Sequence, residues 1–135
     1  MLENERIALA QKHLEKAQKE LNASQSNMDM EYYEVANSRA YYAIFNAIRA
    51  LLALEGVDFK SHSQTIGYFN KNFVNTGIFP KSIGKIISYT STKRNNSDYN
   101  VNYEPGFDDV QKSVEGAAAF LKEVTQNIRA TTSPS

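Results

Sequence analysis

Between Met28 and Glu55 two apolar stripes run side by side. Tyr33, Ala36, Ala40, Ile44, Ala47, Leu51 and Leu54 make one, and Tyr41, Phe45, Ile48 and Leu52 make the other. Recurrence every three or four residues is the period of an α-helix. A helix that is apolar on two adjacent faces must be covered on both, which places it at the centre of a bundle. Its many alanines allow close approach of the covering helices, and Gly56 is a natural stop.

The flanking segments supply those neighbours. Ile7, Ala10, Leu14, Ala17 and Leu21 form a stripe in a helix predicted over residues 2–22, followed by a small polar loop over 23–27. A third helix is expected over 64–75, capped by Ser63, with Ile66, Phe69 and Phe73 inward. A fourth opens at Pro80 or Lys81, where proline suits the first turn, and aligns Ile83, Ile87, Thr90 and Arg94. Residues 95–106 read as a loop. Asp108 or Asp109 caps a last helix carrying Val110, Val114, Ala117, Leu121, Val124 and Ile128. The fold class is all-α: an antiparallel four/five-helix up-and-down bundle. Residues 1–128 form the single domain and 129–135 a disordered tail.

Composition narrows the chemistry. With no cysteine there is no disulfide framework and no thiol nucleophile. No paired-histidine or carboxylate cluster has metal-ligand spacing, and no Gly-rich phosphate loop occurs, so no metal or cofactor is expected. No stretch reaches the ~18 apolar residues of a membrane span, and the N-terminus lacks a signal peptide's apolar run. A soluble cytoplasmic protein is the simplest expectation. The 15 basic and 15 acidic residues balance, but residues 56–97 carry a net +5. Such a segment is either a phosphate-binding face or a solvated face that pairs with the acidic ends of the same molecule.

Three elements then stand in order: Asn37-Ser38-Arg39-Ala40-Tyr41-Tyr42-Ala43-Ile44-Phe45-Asn46-Ala47, the loop Lys60-Ser61-His62-Ser63, and Arg94-Asn95-Asn96-Ser97-Asp98-Tyr99. Together they resemble the HEPN-domain family over residues 5–126. The resemblance implies a helical bundle that commonly forms homodimers. It also implies relatives that are metal-independent ribonucleases, several of them toxins neutralised by a minimal nucleotidyltransferase. Their motif is an arginine, four to six residues and a histidine, duplicated across the dimer interface. Here Arg94 is present, but Tyr99 stands where the histidine would be, and neither of the two histidines, His13 and His62, follows Arg94.

The substitution matters because metal-free RNA cleavage needs a base for the 2′-hydroxyl proton, an acid for the leaving oxygen, and positive charge on the phosphorane. A phenol with a pKa near ~10 is a poor base at neutral pH. Arg94 can clamp a phosphate, and Tyr99 can hydrogen-bond one or stack on a base. Asp98, four residues after Arg94, and His62 are the available proton carriers. If consecutive helices alternate direction, the links after the second and fourth helices share one end, which brings His62 toward Arg94. The candidate catalytic site is therefore His62, Arg94, Asp98 and Tyr99, with Arg39 and Tyr42 in support. Each has a plain structural alternative: an Arg94–Asp98 ion pair, a packed tyrosine, a loop histidine, a snorkelling Arg39. Three functions follow: an RNA-directed enzyme or toxin with a nucleotidyltransferase partner, a non-catalytic nucleotide- or partner-binding module, or a dimeric assembly domain.

Overall fold

The computed structural model describes residues 3–99, 102 and 104–133, the side chains of 96–99 excepted. Five helices follow in order: α1 (Glu3–Asp29), α2 (Tyr33–Leu54), α3 (His62–Phe69), α4 (Lys81–Tyr99) and α5 (Phe107–Thr132). A π-helical turn, Asn70–Val74, extends α3.

Both expected stripes of α2 are turned inward. Ala36, Ala40, Ile44, Ala47 and Leu51 are buried on one, and Tyr41, Phe45, Ile48 and Leu52 on the other. The stripes of α1, α4 and α5 close around them. Near the end of α3 the rings of Phe69, Phe79 and Phe120 meet, with centroids 5.5 to 6.2 Å apart. Where α5 meets α4, Gly116 leaves room for Ile86. A Cβ there would lie 2.6 Å from the Ile86 Cγ2.

Helix directions follow from which ends meet. Glu3 and Arg6 of α1 share a cleft with Leu54 at the end of α2 and Thr131 and Thr132 at the end of α5. The Tyr33 and Phe107 rings meet edge to face at 6.0 Å where α2 and α5 begin. Lys93, late in α4, lies 3.6 Å from Asp109, early in α5. Thus α1, α2, α4 and α5 form an up-down-up-down bundle, and α3 is a short piece within the α2–α4 connection.

Several expected boundaries move. The helix predicted to end at Asn22 runs on to Asp29, because the small polar stretch serves packing. Ser24 is buried and donates to the Ala36 carbonyl at 2.6 Å, and the Asn27 amide donates to the Ala23 carbonyl. The turn falls at Glu31, whose φ of 61° is left-handed. The Glu31 and Tyr32 amides return to the Met28 and Asn27 carbonyls, a Schellman ending without glycine. Gly56 closes α2 the same way at φ 70°. Helix α3 starts at His62, capped by Ser61 rather than Ser63. Helix α5 is capped by Gly106, leaving Asp108 and Asp109 in its first turn. It also extends past Ile128 to Thr132, so residues 129–132 are helical rather than irregular. There the Thr131 and Thr132 hydroxyls bond back to the Asn127 and Ile128 carbonyls. Among the described residues no helix is long and apolar enough to cross a membrane.

Candidate functional site

The connector between α2 and α3 decides where the site lies. From Gly56 it turns back along the outside of α2: Arg49 reaches Asp58 at 3.3 Å, and His62 arrives over Tyr41 and Phe45, well up the helix. Ser61 then starts α3. Its hydroxyl accepts from the Gln64 amide at 3.1 Å, and its carbonyl accepts from the Thr65 hydroxyl at 2.9 Å. This cap sets the position of the neighbouring imidazole. Ser61→Ala is expected to cost about 1 kcal/mol of stability, whereas Ser61→Asp, which keeps the acceptor, retains most of it. Urea unfolding of the three proteins checks this; equal midpoints would contradict it.

His62 is held on three sides by rings. Its centroid lies 4.0 Å from Phe45, 5.8 Å from Tyr41 and 6.0 Å from Tyr42. Its Nδ1 shares a hydrogen bond of 2.9 Å with the Tyr41 hydroxyl. That bond fixes the ring and leaves Nε2 for another partner. Burial, then the positive charges of Arg94 and Arg49, push the His62 pKa below the usual value near 6.5. The imidazole is therefore neutral at pH 7. Burial pushes the Tyr41 phenol up, against the pull of Arg94, so it stays protonated and able to bond either tautomer.

From α4, Arg94 enters the same aromatic group. Its guanidinium carbon lies 4.7 Å from the Tyr41 ring centre and 5.2 Å from that of Tyr42, and Nη2 donates to the Tyr42 hydroxyl at 3.1 Å. Contact with both rings and the bond to the Tyr42 hydroxyl restrict where the guanidinium can lie. Arg94 and His62 line one open groove of roughly 450 Å³, with Tyr41, Ser63, Asn70 and Asn95 around it.

Arg94 and His62 thus converge, though not because two links share an end. The links after α2 and α4 lie at opposite ends of the bundle, since α3 is too short to count as a full traverse. The returning connector closes the distance, and the site sits on the flank of α2. Tyr42 supports the site directly through Arg94. Arg39 instead bonds Glu20 at 2.9 Å, half-buried, with its guanidinium 5.2 Å from the Tyr42 ring. Asp98 and Tyr99 belong to the last turn of α4, and their side chains lie outside the described residues.

From spacing alone, Tyr41 and Phe45 are members of an apolar stripe and carry no role in the site. One signal was available: Phe45 follows Tyr41 by one helical turn, so both face one neighbour. His13, on α1, is half-buried in a small cleft beside Arg49 and Asp58, and its pKa is lowered, chiefly by burial. Among the described residues no group of histidines and carboxylates could hold a metal ion.

Comparison with known proteins places this geometry in context. A family model described as HEPN domain matches residues 10–128. A protein of Methanocaldococcus jannaschii, "Putative toxin MJ0142", is 29% identical over 113 residues, covering 84% of this chain and 77% of its own. A "UPF0332 protein" of Thermotoga maritima is 33% identical over 93 residues, covering 69% and 70%. The crystal structure of ST0689, an archaeal HEPN homologue, superposes with a TM-score of 0.69 over 88% of this chain and 97% of its own. At 19% identity that likeness concerns the fold alone.

Proposed function

The chain belongs to the HEPN domain family, and from that premise we propose a toxin-like protein that cleaves RNA without a metal. One observation carries the reading: Arg94 and His62, remote in sequence, line one open groove, the first held against two tyrosine rings and the second fixed through Nδ1. Arg94 binds the scissile phosphate and stabilises charge on the phosphorane. His62 Nε2 serves the proton transfers. With Nδ1–H donating to Tyr41, Nε2 takes the 2′-hydroxyl proton; that oxygen attacks phosphorus, the bond from phosphorus to the 5′-oxygen breaks, and the 5′-oxygen takes a proton from the carboxylic acid of Asp98. The products are a cyclic phosphate and a 5′-hydroxyl end. Asp98 is the second proton carrier, and Tyr99 contacts the phosphate or a base. The wider reading pairs two copies of the chain and adds a minimal nucleotidyltransferase as neutralising partner. Light scattering and co-purification of the two gene products test these.

Tyr99 at the motif histidine's position supports a second reading, a non-catalytic module that holds RNA or a nucleotide in the same groove. An assay in EDTA separates them: cleavage sensitive to His62→Ala supports the enzyme, and RNA binding without turnover supports the module.

The lowered His62 pKa sets the pH dependence. Activity that needs the neutral imidazole rises with pH through a midpoint below 6.5 and is flat at neutrality. Stability shares the sign: the folded state disfavours protonated His62, so this contribution is complete above the ordinary histidine value and is lost as pH falls through the lowered one. NMR titration of the His62 ring is expected to give that low midpoint, moving up in Arg94→Gln, which removes a nearby positive charge. A midpoint unmoved by the substitution would place the two groups apart.

A further inference from the structure

On the other side of His62 lies a second groove, of roughly 310 Å³, lined by Lys16 and Glu20 of α1, by Arg39, Tyr42, Phe45, Asn46 and Arg49 of α2, and by His62 itself. The two grooves share the imidazole. Tyr42, in the wall of the second groove, links it to Arg94 of the first: its ring lies 5.2 Å from both the Arg94 and the Arg39 guanidinium carbons, and its hydroxyl accepts from Arg94. Lys16 has no ion-pair partner among the described residues. Among the described residues Arg49 is paired only with Asp58, at 3.3 Å, and that carboxylate is 74% exposed. An exposed pair at that distance is weak, so an incoming phosphate can displace Asp58. Arg39 is tied to the less exposed Glu20, and so fixes the groove wall more than it offers a free charge.

We propose that a single RNA strand crosses His62, with one phosphate on Arg94 in the first groove and the following backbone tracking Lys16 and Arg49 in the second. This rests on the RNA reading above and adds its binding path. Spacing along the ridge supports it: Arg39, Tyr42, Asn46 and Arg49 follow at three- and four-residue steps, so they line one face of α2. That row runs along the second groove, with Arg39 and Arg49 at its two ends, while Arg94 stands in the first groove across the imidazole. A strand laid along it places a scissile bond at the shared wall.

The test is fluorescence anisotropy with a labelled oligouridine dodecamer and a labelled uridine dinucleotide, both 2′-O-methylated so that the nucleophile is blocked, in EDTA at varied salt. Lys16→Ala/Arg49→Gln is expected to weaken dodecamer binding about tenfold and to lower the salt slope by about 1.4. Dinucleotide binding, confined to the Arg94 groove, stays within about twofold. Lys122→Ala/Arg129→Gln on α5 makes the same charge change and is expected to leave both nearly unchanged. Asp58→Asn, which frees Arg49, is expected to tighten dodecamer binding about threefold, beyond Glu123→Gln of equal charge change. Circular dichroism melts establish that each variant is folded. Dodecamer binding lost in Arg94→Ala but indifferent to Lys16→Ala/Arg49→Gln overturns the path alone. No binding of either probe by the unaltered protein overturns the path together with the RNA reading.

Discussion

Arg94→Ala is expected to lower the proposed RNA cleavage by about a hundredfold or more, with only a small change in stability. The size follows from what the side chain supplies. A donor aimed at developing charge in a preorganised site is worth on the order of a hundred to a thousand in rate. Arg94 provides a charged fork held against two tyrosine rings at 4.7 and 5.2 Å. The small effect on folding follows from its half-buried place late in α4, beyond the buried stripe of Ile83, Ile87 and Thr90. Arg94→Lys is expected to fall between, since a lysine keeps the charge but not the planar fork. Initial rates in EDTA, with identification of the cyclic-phosphate end, measure this. Cleavage by Arg94→Ala at the unaltered rate would refute the assigned role. Retained RNA binding with no cleavage by any of the proteins would favour the binding module.

Much of the fold was legible because burial imposes a period. Apart from Ile7, which is half-buried in the cleft near the start of α1, each apolar residue named from spacing in α1, α2, α4 and α5 is buried or packed against the core. What spacing does not encode is how a polar stretch ends or continues a helix. Ala23–Asn27 reads as a loop until Ser24 is seen to donate into the neighbouring helix and Glu31 to take the left-handed turn. The length of α3 had the same cause. Its helical pattern runs to Asn75, but the backbone widens into a π-turn at Asn70, and the segment never crosses the bundle.

For the site, sequence order identified Arg94 and His62 through motifs but could not give the route that joins them. That route depends on seven connector residues, 55–61, folding back along α2, a tertiary choice with no periodic signature. Tyr41 escaped notice for a related reason. A tyrosine 3% exposed looks like core, and only the tertiary structure shows its hydroxyl bonded to His62. Lys16 and Arg49 were legible only as solvated charge, because a groove between α1 and α2 exists only after the helices pack.

Phe120→Ala has the largest expected effect on stability, about 3–5 kcal/mol. Phe120 is fully buried, and its ring meets Phe69 edge to face at 5.5 Å and Phe79 at 6.2 Å. These three rings join α5 to the end of α3 and to the turn before α4. Truncation leaves a cavity that rigid neighbours fill only in part, so the lost transfer energy and the lost contacts add. Against a typical domain stability of about 5–15 kcal/mol, the melting temperature falls by roughly 10–20 °C. The function follows the core here, because Phe69 anchors the helix whose first residue is His62. RNA cleavage is expected to fail well below the temperature at which the unaltered protein stops working. Phe107→Ala is the control: that ring is 52% exposed, and its loss is expected to cost under about 1 kcal/mol. Calorimetry on the three proteins decides it. Equal melting temperatures for Phe120→Ala and Phe107→Ala would mean that the α3–α5 aromatic contact does not hold the bundle together.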